Sequence, residues 1–135
     1  MALTLGRILV VDDDATDRLK ISLAVKKLGH AVASAEGGHQ ALQMLGSNSY
    51  DLVLLDLLMP EMDGFAVLGA LKADPALCNI PVIVISSLDD PREIDKAVEL
   101  GAKDHLPKSF RTDLLKTRLN DCLRAKSAGR DELDT

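Results

Sequence analysis

The sequence predicts an α/β fold, an open doubly wound parallel sheet with helices on both faces, and three observations predict it. Short runs of aliphatic residues at 8–11, 52–55 and 82–85 are apolar at every position rather than at alternate ones. Such runs mark strands covered on both faces. Segments of helical periodicity separate them, and strand-then-helix recurs five times, which implies right-handed crossovers. Finally, 135 residues with 47% hydrophobic content suit one compact domain with its own core.

The elements follow in order. Ile8-Leu9-Val10-Val11 is the first strand. The helix at 16–28 carries Leu19, Leu23, Val25 and Leu28 as its apolar positions and stops at Gly29, a residue suited to a C-terminal cap. Ala31-Val32-Ala33 is a weaker strand, placed by its position. A helix at 39–45 carries Ala41, Leu42 and Leu45 and stops at Gly46. The strand at 52–55 leads to a helix at 64–72 with Phe65, Leu68 and Leu71. The strand at 82–85 leads to a helix at 92–100 with Ile94, Ala97 and Val98, ending at Gly101. His105-Leu106 is the weakest strand, because Pro107 follows and proline is tolerated mainly on sheet edges. The last helix, 112–124, carries Leu115, Leu119, Cys122 and Leu123. The folded unit is expected to span 1–124, and 125–135 to form a polar tail that frays or begins a linker.

Composition narrows the function. With 2% aromatic residues and no Trp, the core must be aliphatic, and so few aromatics argue against a stacking platform for bases or flavin rings. A net charge of −5 and a pI near 5.1 favour binding a cation over binding nucleic acid directly. Cys78 and Cys122 show neither metal-ligand spacing nor a disulfide framework. They read as free thiols packed as small hydrophobes, in keeping with a cytoplasmic location. No apolar signal core precedes Asp12, and no run approaches the roughly 18 apolar residues of a membrane span.

In an open parallel sheet, ligands bind beyond the carboxyl ends of the strands. Asp12, Asp13 and Asp14 follow the first run, Asp56 the third, Ser86 and Ser87 the fourth, and Lys108 the fifth. Clustered carboxylates repel one another unless a cation sits among them, and Mg²⁺ suits oxygen ligands. One carboxylate could then attack phosphorus and form an aspartyl phosphate, with metal and lysine neutralising the phosphoryl oxygens. Taken singly, these residues have plainer readings. Asp14 reads as a helix N-cap with Asp17 favouring the helix dipole. Asp12, Asp13 and Asp56 read as turn residues. Only their joint placement at four strand ends points to chemistry.

The string Asp56-Leu57-Leu58-Met59-Pro60-Glu61-Met62-Asp63-Gly64 is the most specific motif in the chain. With Val10-Val11-Asp12-Asp13, the Pro81 to Ser87 segment and Lys108, it resembles the receiver domain of two-component response regulators over about residues 7–124. The resemblance implies a flavodoxin-like five-stranded sheet of order 2-1-3-4-5. It implies that Asp56 accepts the phosphoryl group. Asp13 would ligate Mg²⁺ directly and Asp12 mostly through water, with the Leu58 backbone carbonyl a further ligand. Ser86 would be the switch hydroxyl and Lys108 the phosphate-pairing lysine. A histidine kinase or phosphotransfer protein would be the donor. The surface of the fourth helix, last strand and fifth helix would control an output domain or protein, or pair two copies. No nucleic acid or membrane contact is implied.

Three positions depart from the family pattern. Ser109 stands where a cis-bonded proline usually follows the lysine. A non-proline cis bond costs about 3 kcal/mol, so Lys108–Ser109 is expected trans with some loop rearrangement. His105 occupies the usual place of a switch Tyr or Phe. Leu58 and Leu88 flank the site and offer an attacking water no hydrogen bond, so a long-lived phosphoryl state is expected. Two rivals stay open. Asp12-Asp13-Asp14-Ala15-Thr16 also fits the D-x-D-x-T motif of haloacid-dehalogenase-like phosphatases, which need a further acidic motif after the lysine and would be labelled at Asp12. A receiver fold used only as an adaptor would not be phosphorylated at all.

Overall fold

The computed structural model describes residues 5–87 and 90–134, with the backbone alone over 125–134. Strands and helices alternate as β1 (Arg7–Val11), α1 (Ala15–Lys27), β2 (Ala31–Ala35), α2 (Gly38–Ser47), β3 (Leu52–Leu55), α3 (Gly64–Ala73), β4 (Val82–Ser86), α4 (Pro91–Glu99), β5 (Asp104–Pro107) and α5 (Thr112–Asp134). The five strands form one sheet of order β2-β1-β3-β4-β5, and every neighbouring pair is parallel.

The continuous apolar runs are explained by two cores. Side chains alternate across a strand. Leu9, Val11, Val53, Leu55, Val82 and Val84 meet Ala41, Leu45, Val67, Leu68, Leu71 and Ala97 of α2, α3 and α4. Ile8, Val10, Leu52, Leu54, Ile83, Ile85 and Leu106 meet Ile21 and Val25 of α1 and Leu115, Leu119 and Leu123 of α5. Neither face can be polar, so both parities are aliphatic. Each such side chain contributes about 1.5–3 kcal/mol on full burial. The outer strands β2 and β5 are only partly covered, which is why their sequence signal is weaker.

Helix ends follow local chemistry. α1 and α4 stop where Gly29 and Gly101 take positive φ, 99° and 112°. Asp14 Oδ1 accepts the Thr16 and Asp17 N–H groups at 2.9 and 3.0 Å, capping α1.

Three details differ from the sequence reading. On α1, Leu19 and Leu23 are 61% and 48% exposed, whereas Ile21 and Val25 are buried. Positions 21, 25 and 28 lie one turn apart on one face, and 19 and 23 lie on another; the expected set mixed the two. Gly46 lies inside the last turn of α2, which runs on to Ser47 and ends at extended Asn48; no left-handed residue is needed there. α5 continues past residue 124 to Asp134, because no proline interrupts a stretch rich in Ala, Lys, Arg and Glu.

Candidate functional site

Strand register brings the candidate residues to one sheet edge. Val11 pairs with Leu55 and Leu55 with Val84. One step on, the Asp56 N–H donates to the Val11 carbonyl at 3.0 Å, and the Asp12 N–H to the Ala35 carbonyl at 3.2 Å. Ser86 ends β4 opposite Pro107, and the Lys108 N–H donates to the Ser86 carbonyl at 3.1 Å. Asp12, Asp56 and Lys108 continue the parity of Val10, Leu54 and Leu106, residues packed beneath α1 and α5. All three therefore lean toward the α1 side.

The side chains converge. Asp12, Asp13 and Asp56 each offer a carboxylate oxygen, and these oxygens lie within 4.8 Å of one another. Asp12 and Asp56 are 0% and 3% exposed, and Asp13 is exposed. The Lys108 ammonium lies 2.8 Å from Asp17 Oδ2, 3.1 Å from Asp12 Oδ2 and 3.3 Å from Asp56 Oδ2. Toward Asp12 this is an ion pair without hydrogen-bond geometry, so buried Asp12 Oδ2 has no hydrogen-bond partner among the described residues. Asp12 Oδ1 accepts the Asp14 N–H at 2.9 Å, and Asp56 Oδ1 accepts the Leu58 N–H at 3.3 Å.

The charge balance is uneven. Burial pushes the Asp56 carboxyl up from 3.8 to about 6; the Asp12 charge pushes the same way, and Lys108 and the Leu58 N–H pull back. For Lys108, burial works against the ammonium, but its close contacts with Asp17 and Asp12 and the nearby Asp56 charge outweigh it. The ammonium is held above the ordinary lysine range. One lysine thus leaves the carboxylates short of positive charge. A buried Asp12 oxygen without a hydrogen bond and a buried carboxyl pushed upward both fit a hard divalent cation with oxygen ligands.

The loop after Asp56 is shaped by packing. Leu57 and Met59 are buried, while Leu58 is 52% exposed. Asp63 caps α3 through the Ala66 N–H at 2.9 Å. A Cβ on Gly64 would lie 2.3 Å from the Asp56 carbonyl oxygen and 2.7 Å from Leu57 Cα, so only glycine lets α3 start against the backbone of Asp56. Ser86 is fully buried and, with Ser87, Ile94, His105, Pro107, Lys108 and Ser109, lines one pocket beside the cluster. No cis peptide occurs among the described residues, and Lys108–Ser109 is trans. Leu88 lies outside the described residues.

Two contacts escaped the sequence reading. Helix-dipole chemistry alone accounts for Asp17 in the sequence, yet Asp17 makes the shortest contact to Lys108. Arg18 Nη1 donates to the Asp12 carbonyl at 2.9 Å. The available signal was spacing: a first-turn residue of a helix that starts at a strand end faces that same edge.

Comparison with known proteins gives a consistent picture. Residues 8–120 match the family described as the response regulator receiver domain. A gliding motility regulatory protein of Myxococcus xanthus is 41% identical over 102 residues, 76% of this chain and 13% of that protein. The response regulator MprA of Mycobacterium sp. (strain KMS) is 35% identical over 121 residues, 90% of this chain and 52% of that protein. The chain thus spans about half or less of the length of these relatives. The crystal structure of the signal receiver domain of a signal transduction histidine kinase from Syntrophus aciditrophicus superposes with a TM-score of 0.82 at 33% identity, covering 89% of this chain and 91% of that one.

Proposed function

The chain belongs to the response regulator receiver domain family, and from that premise we propose that it is switched by phosphorylation of Asp56. The observation that carries this is the cluster of three carboxylates at the ends of β1 and β3, two of which, the buried Asp12 and Asp56, also lie 3.1 and 3.3 Å from one lysine that follows β5. In this reading Asp12, Asp13 and Asp56, with the Leu58 carbonyl, hold Mg²⁺. The ion would supply charge neutralisation at the phosphoryl oxygens. Asp56 supplies the attacking oxygen: its O–P bond forms as the bond from phosphorus to the donor's leaving group breaks. Lys108, held charged, pairs with a phosphoryl oxygen, and the buried Ser86 hydroxyl reports the change toward His105.

The donor would be a histidine kinase or phosphotransfer protein in the cytoplasm. The receiver unit would occupy 1–124, with 125–135 a polar tail. The α4, β5 and α5 surface would carry the signal to an output domain or protein, or to a second copy. Leu58 presents an apolar, half-exposed side chain beside Asp56, which favours slow hydrolysis of the acyl phosphate.

Incubation with Mg²⁺ and acetyl phosphate, followed by borohydride trapping and peptide mass spectrometry, tests the proposal. Label at Asp56, lost without Mg²⁺ and in Asp56→Asn, is the expected result. Label at Asp12 would favour the phosphatase chemistry, and no label would leave an adaptor.

A further inference from the structure

The three carboxylates around Lys108 are not equivalent. Asp12 and Asp56 come from strand ends and are almost fully buried. Asp17 comes from the first turn of α1, and its side chain is 37% exposed. Its contact with Lys108, 2.8 Å, is nevertheless shorter than those of Asp12 and Asp56 at 3.1 and 3.3 Å. The position is also built: the Asp17 N–H is pinned by the Asp14 cap at 3.0 Å, so its Cα is held where the carboxylate reaches the ammonium.

An ammonium has three donors; here two bond Asp17 and Asp56, and the charge is also held beside Asp12 Oδ2 at 3.1 Å. A phosphoryl oxygen on Asp56 therefore draws on an ammonium that Asp17 already holds by the shorter of its two hydrogen bonds. Asp12 and Asp56 belong to the proposed cation cluster, so their charge is shared with the cation. Asp17 lies outside that cluster and keeps its whole charge for Lys108.

We infer that Asp17 is a positioning residue that competes with the phosphoryl group for Lys108 and so sets how tightly the modified state is held. The inference rests on the proposed phosphorylation of Asp56. It predicts that the unmodified domain parks its lysine on α1, and that the phosphoryl group must draw the ammonium away from Asp17. Removing the Asp17 charge frees Lys108 for its new partner.

Beryllofluoride, a phosphoryl mimic, tests this by calorimetric titration of the whole chain at saturating Mg²⁺. Asp17→Asn should tighten binding by about three- to fivefold, the upper scale of a partly exposed ion pair. Asp17→Glu should stay near wild type. Asp14→Asn is the control: it removes the same charge from the same helical turn, asparagine caps helices as well as aspartate, and Asp14 spends its Oδ1 on the Thr16 and Asp17 N–H groups. It should change affinity less than about twofold. The inference is overturned if Asp17→Asn leaves binding unchanged or weaker, or if Asp14→Asn tightens it equally, since the effect would then be general field rather than competition. Wild type that fails to bind beryllofluoride with Mg²⁺ would overturn the reading of Asp56 and this inference together, whereas failure confined to the Asp17 variants overturns the inference alone.

Discussion

Replacing Asp56 with Asn should stabilise the metal-free fold while destroying the proposed acceptor. Burial and the Asp12 charge push the Asp56 carboxyl from 3.8 to about 6. Each pKa unit is worth 1.36 kcal/mol, so the ionised group costs the folded state about 3 kcal/mol. The sign follows from proton counting. Between about pH 4 and 6 the folded chain holds a proton that the unfolded chain has released, so stability falls as pH rises through that window and then levels off. Asparagine keeps the shape and can accept the Leu58 N–H, but it deprives Lys108 of one partner, leaving Asp12 and Asp17. The net gain at about pH 8 in EDTA should be about 1–3 kcal/mol, or about 3–10 °C in Tm for a domain of this size. Urea denaturation followed by circular dichroism reads it. At about pH 4 the gain should shrink to about 0.5 kcal/mol. A variant no more stable than wild type at pH 8, or a gain that is the same at both pH values, would refute the electrostatic account.

Three further outcomes follow from the packing and the buried groups. Gly64→Ala, whose Cβ would sit 2.3 Å from the Asp56 carbonyl, should lose at least about 2 kcal/mol in urea denaturation; a neutral result would mean that the start of α3 can retreat from Asp56. Ile21→Ala should cost about 2–4 kcal/mol, whereas Leu19→Ala and Leu23→Ala should each stay within about 0.5 kcal/mol; the reverse order would put the core on the other face of α1. His30 is 6% exposed, its Nδ1 accepts the Gly6 N–H at 3.1 Å, and burial holds its pKa below 6.5. Below about pH 6.5 the unfolded chain takes a proton that folded His30 refuses, so His30 lowers stability on acidification and opposes the Asp56 contribution; His30→Gln should make the chain relatively more stable toward acid than wild type, and an unchanged pH profile would show that the imidazole is not the titrating group.

The fold was readable because its strongest signals are redundant. The runs at β1, β3 and β4 are apolar on both parities, which only a doubly covered sheet requires, and Gly29 and Gly101 punctuate two helices. The meeting of Asp12, Asp13, Asp56 and Lys108 was readable for a topological reason: residues that follow buried parallel strands share one edge wherever they lie in the chain. The core face of α1 was not readable, since Leu19 and Leu23 carry the same helical spacing as Ile21 and Val25. Asp17 was hidden differently: helix-dipole chemistry accounts for an aspartate in a first turn, so nothing in the sequence demanded a second role. The length of α5 was missed because a polar stretch signals solvent exposure without excluding helix.

The shared cation site is tested most directly by titrating Mg²⁺ into ¹⁵N-labelled protein and following backbone amides. Saturable shifts at Asp12, Asp13, Asp56 and Leu58, abolished in Asp13→Asn and Asp56→Asn, are expected. Amides at the ends of β1 and β3 that stay still as Mg²⁺ rises, or that move equally in both variants, would contradict a divalent ion held between these strands.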